Sequence, residues 1–149
     1  MTTRRDLIKS GALLPLSTLI SAPGTSWAAD TRPRFLVDRR LPEARHLRRH
    51  AELAGCACAD PGGEVIAFLT GSPEWLAPGA PIIGLTGYVD FALAGDVLRL
   101  GGRRMRQIWQ IGPSAASLTD DGQRALLAAL LGTPAAHARP GSTSFLWVA

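Results

Sequence analysis

Short apolar runs alternate with helix-forming stretches along most of this chain, and that order leaves few architectures open. Arg34-Phe35-Leu36-Val37-Asp38 is an apolar run bounded by charge and reads as a first strand. Pro42 then suits the first turn of a helix, where a missing N–H costs nothing. That helix is predicted to run to about Ala54 and stop at Gly55. Cys56-Ala57-Cys58-Ala59 is a small-residue strand candidate, and Asp60-Pro61 would cap and open a second helix from about Gly63. Gly71 and Pro73 end that helix before or at Trp75. Ile82-Ile83-Gly84-Leu85-Thr86 reads as a third strand, and Gly87 turns into a helix from Tyr88 to Leu100, closed by Gly101-Gly102. Met105 to Ile111 gives a fourth strand, with Met105, Trp109 and Ile111 on one face and Arg104, Arg106 and Gln110 on the other. Thr119-Asp120-Asp121 would cap a helix from Gln123 to Leu131, because acids suit the positive end of a helix. Ser144-Phe145-Leu146-Trp147-Val148 is a terminal strand, free to run antiparallel at an edge.

The expected fold is therefore α/β: a small three-layer sandwich with a mostly parallel sheet of four to five strands. Near-continuous apolar strands agree with burial on both faces. Trp75, Trp109, Trp147 and Phe145 supply most of the aromatic burial, with a partner surface as the alternative use of those rings.

The first 28 or so residues read differently. Arg4, Arg5 and Lys9 give a charged start, Ala12 to Ile20 is mostly apolar, and small residues lead to Ser26-Trp27-Ala28. The apolar run is too short for a bilayer core, which needs about 20 residues. Charge, apolar run and small residues in that order are the plan of a secretory leader, with cleavage between Ala28 and Ala29. Thr3-Arg4-Arg5-Asp6-Leu7-Ile8-Lys9 resembles the twin-arginine export motif, and Lys9 is the only lysine in the chain. The expected division is a leader over 1–28 and one α/β domain over 29–149. The resemblance implies passage through the twin-arginine translocase in a folded state, a periplasmic or secreted location, and no stable membrane anchor after cleavage.

Charge and missing motifs exclude several functions. The chain carries a formal +4, of which the leader holds +2 (Arg4, Arg5 and Lys9 against Asp6), leaving +2 for the rest. No nucleic-acid footprint is present, because such a footprint needs clustered basic residues in strong excess. Arg45, Arg48 and Arg49 cluster, but they read as one solvated helix face. Residues 29–149 hold no lysine, which removes Schiff-base chemistry and a P-loop. G-x-S-x-G, H-E-x-x-H, C-x-x-C and G-x-G-x-x-G are all missing.

Ligands of open α/β sheets sit beyond the carboxyl ends of the strands. The rule points to Asp38-Arg39-Arg40, Asp60, Thr86-Gly87-Tyr88 with Asp90, and Gly112-Pro113-Ser114. Asp38, Asp60 and Tyr88 are the candidate catalytic groups, and Arg39, Thr86 and Gly87 the candidate ligand contacts, since the Thr86-Gly87 turn presents helix N–H groups to an anion. The competing readings are a helix cap for Asp60, an arginine pair or turn for Asp38, and a surface ring for Tyr88. His46 and His50 share a helix face at i, i+4, and Cys56 and Cys58 follow. Two imidazoles and two thiols would satisfy a tetrahedral metal site if the fold brought them together. The cysteines are alternatively simple buried groups, a strained disulfide or a redox thiol. No cofactor is otherwise expected.

On Arg34 to Arg40, Pro81 to Thr86 and Ser144 to Trp147 the chain resembles small uncharacterised secreted proteins of proteobacteria that carry twin-arginine leaders. That resemblance implies export and brings no catalytic residues with it. The leading expectation is a non-catalytic binding or accessory factor, with an exported redox enzyme as one partner it could serve. The rivals are a small enzyme at the strand ends and a metal or thiol-redox protein.

Overall fold

A computed structural model describes residues 32–111 and 143–149. The twin-arginine motif with Arg4 and Arg5, the Ala28/Ala29 cleavage point, Gly112-Pro113-Ser114 and the helix expected over 123–131 lie outside the described residues. Within them the order is β1 (Arg34–Val37), α1 (Ala44–Leu53), β2 (Cys58–Ala59), α2 (Val65–Gly71), a 3-10 turn (Pro73–Trp75), β3 (Ile82–Gly87), α3 (Tyr88–Leu100), β4 (Gln107–Ile111) and β5 (Ser144–Val148).

These strands form one five-stranded sheet in the order β2-β1-β3-β5-β4. β1 pairs parallel with both β2 and β3, while β5 pairs antiparallel with both β3 and β4. The sheet is thus mixed, which corrects the expectation of a mostly parallel one. The terminal strand does run antiparallel, but it lies inside the sheet between β3 and β4, not at an edge. β4 keeps the direction of β1 to β3, so β3-α3-β4 is a crossover whose gap β5 fills. Burial on both faces misled the sequence reading. It follows from helices covering both sides and carries no information about strand direction.

The alternation of side chains sorts the core into two layers. Phe35, Val37, Ile83, Leu85, Leu146 and Val148 face α1, which contributes Ala44, Leu47 and Ala51. Leu36, Ile82, Trp147 and Trp75 face the opposite way, against Val65 and Leu69 of α2 and Ala94 and Leu98 of α3. Trp147 is fully buried, and its indole N–H donates to Thr86 Oγ1 at 3.1 Å. Gly84 makes room for that ring, since it is the residue paired with Trp147 across β3 and β5.

Helix limits follow local chemistry. α1 ends at Leu53 with Ala54 as its C-cap, and Gly55 takes φ +64, the left-handed conformation that favours glycine after a helix. α2 stops at Gly71 ahead of Pro73, as the sequence suggests. Asp60 does not cap it. Asp60 Oδ1 instead accepts the Gly62 N–H at 2.9 Å, because two residues on is the reach of an aspartate turn. Met105 departs from expectation as well: β4 begins only at Gln107, so Met105 packs with the α3 layer while Trp109 and Ile111 pack with the α1 layer. Arg103 anchors this corner by donating to the carbonyls of Ala77, Ala80 and Ala149 at 2.7, 2.6 and 3.0 Å.

A candidate binding cleft at the switch point

β1, β2 and β3 all end on one side of the sheet. The chain leaving β1 enters α1 on one face, whereas the chain leaving β3 enters α3 on the other. The two connections diverge and open a crevice between neighbouring strand ends, the usual ligand position of open α/β sheets. Here the crevice is an open cleft of about 530 Å³ lined by Arg40, Gly63, Gly87, Tyr88, Val89, Asp90 and Thr143.

Its floor is an ion cluster. Asp38 follows β1, and its own N–H donates to the Leu85 carbonyl at 3.0 Å, which fixes the residue against β3. The residue is 1% exposed, yet its carboxylate is fully served. Arg40 supplies its backbone N–H and Nε to Oδ1, both at 2.9 Å, and Nη2 to Oδ2 at 2.7 Å. The same Nη2 lies 3.4 Å from Asp90 Oδ2. The guanidinium also lies against Gly63, where an added Cβ would stand 2.6 Å from Nη1, so any side chain at that position would displace it.

The two carboxylates have opposite characters. Hydrogen bonds from Arg40 outweigh the cost of burial and hold Asp38 below the ordinary carboxylate range. Burial pushes Asp90 upward, and the more distant Arg40 offsets only part of that. Asp90 stands in the first turn of α3, where the helix dipole favours its charge. Among the described residues its only partner is Arg40. Two carboxylates therefore share one guanidinium, and the adjacent Arg39–Asp60 pair, at 3.3 Å, is neutral in itself. The described part of the cleft carries one negative charge in excess, centred on Asp90.

Of the candidates named from sequence, Tyr88 and Gly87 line the cleft. Tyr88 is 66% exposed, with its ring resting against Phe145 at 5.8 Å between centroids. Asp38 lies beneath Arg40 and does not open onto the cleft. Asp60 and Arg39 pair with each other beside it. Thr86 is fully buried, with its hydroxyl held by Trp147, so it is no ligand contact. Sequence reasoning gave Arg40 no role of its own and mentioned Asp90 only as a neighbour. Their signal was the Arg-Arg after β1 facing an acid in the first turn of α3.

The metal candidates do not converge. Among the described residues no three His, Cys, Asp or Glu side chains gather at one point. His46 is exposed, while His50 is partly buried against Phe35, with centroids 6.3 Å apart, and burial lowers its pKa. Only Cys58 belongs to β2, because the strand is two residues long and Cys56 precedes it. Both are free, partly buried thiols packed against the α1 layer, and burial pushes both pKa values up. A thiol activated for redox work needs the opposite shift. Both thiols are expected to alkylate with iodoacetamide more slowly than free cysteine near neutral pH, and to accelerate only past the ordinary thiol value of about 8.5. Rate against pH checks this; faster reaction than free cysteine at either thiol would contradict it.

No helix among the described residues is long and apolar enough to cross a membrane. Comparisons of the chain with protein-family models, with curated proteins and with solved structures gave no match.

Proposed function

We propose that this chain is an exported, non-catalytic binding protein that holds a small ligand in the cleft between the ends of β1 and β3. The observation that carries the reading is the cleft's position at the switch point, with Arg40 and Asp90 fixed in its wall. Catalysis by Asp38 is disfavoured by the state of its carboxylate. A general base needs a free lone pair and a pKa near the working pH. Asp38 has Arg40 on both oxygens and a lowered pKa. An enzyme built on Asp38, Asp60 and Tyr88 is disfavoured because only Tyr88 of the three lines the cleft.

Charge selects the ligand. Asp90 is an acceptor with excess negative charge, so the ligand presents an ammonium or hydroxyl donor to it. The exposed face of Tyr88 suits the same cationic or polyhydroxylated group. Volume agrees, since small-molecule sites run from about 300 to 1,000 Å³. Thermal-shift screening of amines, polyols and carboxylates tests the reading. Amines or polyols are expected to raise the melting temperature, and Asp90→Asn to weaken them at least about tenfold, as loss of a charged hydrogen-bond partner does. Stabilisation by carboxylates alone, or hits indifferent to Asp90→Asn, would count against it.

Export rests on the Thr3-Arg4-Arg5 motif. Replacing Arg4 and Arg5 by lysine is expected to leave the protein in the cytoplasm, read by fractionation of expressing cells. Undiminished export would remove that part of the proposal.

A further inference from the structure

α1 carries a second feature, remote in kind from the cleft. Arg45, Arg48, Arg49, Glu52 and Leu53 line an open depression of about 530 Å³ on the face of α1 turned away from the core residues Ala44, Leu47 and Ala51. Among the described residues, none of the three arginines has a carboxylate in ion-pair range, whereas Arg39, Arg40 and Arg99 all do.

The start of the helix does not gain from this arrangement, although Glu52 stands i, i+4 from Arg48 and i, i+3 from Arg49. Arg45 sits in the first turn, where the dipole disfavours positive charge, and that turn has no acidic residue. Arg45 and Arg49 are like charges at i, i+4, which repel. Leu53 is 68% exposed at the same depression. Glu43, the nearest acid before the helix, is engaged elsewhere, accepting the Ser144 hydroxyl at 3.0 Å. The described residues thus leave three guanidiniums at one depression with no carboxylate in ion-pair range.

We propose that this face of α1 docks an acidic, partly apolar segment of a partner protein. Guanidiniums hold carboxylates through paired hydrogen bonds. The exposed Leu53 gives an apolar contact that a bare phosphate could not use, and Glu52 within the same lining repels a polyphosphate backbone while accepting a peptide N–H. The assignment is independent of the cleft's ligand.

Fluorescence anisotropy with the full chain tests it, using a labelled peptide of glutamate and leucine, a matched lysine and leucine peptide, and inositol hexakisphosphate. The acidic peptide is expected to bind, more weakly as salt rises from about 0.05 to 0.3 M. Arg45→Gln with Arg48→Gln and Arg49→Gln should weaken it about tenfold or more, and Leu53→Gln by a smaller factor, while Arg104→Gln with Arg106→Gln leaves it unchanged. The Arg45→Gln, Arg49→Gln pair, both exposed, serves if the triple variant is poorly folded. The proposal is overturned by no binding of the acidic peptide, by binding of the hexakisphosphate alone, or by equal losses in the α1 variants and the Arg104→Gln, Arg106→Gln variant.

Discussion

Replacing Gly84 by alanine is expected to destabilise the protein by about 3 kcal/mol, the upper range for overpacking a core. An added Cβ would stand 2.0 Å from Cε2 and Cζ2 of Trp147, far inside van der Waals contact. Neither side can give way easily. Gly84 lies mid-strand in β3, paired with Leu36 of β1 and Trp147 of β5, so its backbone is held from both sides. Trp147 is fully buried, and moving its ring would break its hydrogen bond to Thr86. Urea denaturation checks the loss. Trp147→Leu is destabilising alone because it leaves a cavity, but it should relieve much of the alanine clash in the double variant, giving a coupling energy between the two sites. An alanine variant as stable as the parent would mean that Trp147 does not lie over β3.

The second large effect is at Arg40. Arg40→Ala leaves Asp38 buried without the guanidinium that supplies its hydrogen bonds, a cost of about 1–3 kcal/mol at neutral pH. The cost belongs to the orphaned carboxylate. The arginine side chain is itself 64% exposed, so solvent screens its Coulombic attraction. The pH dependence separates this from general damage. Asp38 has a lowered pKa in the folded protein, so its stabilising contribution is present above the unfolded value of about 3.9 and is lost as pH falls through the folded one. Asp90 has a raised pKa and acts in the opposite sense: its burial penalty is relieved as pH falls through that raised value. Without Arg40 both carboxylates become of the second kind. The deficit of Arg40→Ala relative to the parent should therefore be large at pH 7 and shrink as both acids protonate. A deficit constant with pH would point to lost packing.

Much of the frame was readable from residue patterns. Tyr88–Leu100 was predicted at its observed limits, and β1, β3 and β5 differ from expectation by at most a residue at either end. Apolar periodicity, Gly55 and Pro73 carry local information, and local structure obeys them. Position within the sheet is not local. Ser144 to Val148 is buried on both faces whether it runs up or down, so only its partners determine its direction, and those lie on β3 and β4, both remote in sequence. Met105 failed for a related reason. Period-two alternation applies only within a strand, and the strand starts two residues later.

The strand-end rule found the right region and the wrong emphasis. It drew attention to Asp38 and Asp60 as lone carboxylates, although each is spent on an arginine within its own corner. The group that faces the cleft with charge to spare is Asp90, and its significance arises from sharing Arg40 with Asp38 across 50 residues of sequence. Nothing in the local pattern of α3 announces that. The basic run of α1 reads from sequence as a solvated face, and it gains another meaning because, among the described residues, no carboxylate lies within ion-pair range of Arg45, Arg48 or Arg49.

Binding in the cleft without turnover is tested most directly by two-dimensional NMR of the labelled protein, titrated with the amines and polyols that stabilise it. The expected result is saturable shifts confined to Gly63, Gly87 to Asp90 and the Arg40 side chain, with the ligand recovered chemically unchanged. Shifts centred on other surfaces, or steady conversion of the ligand to product, would contradict the account.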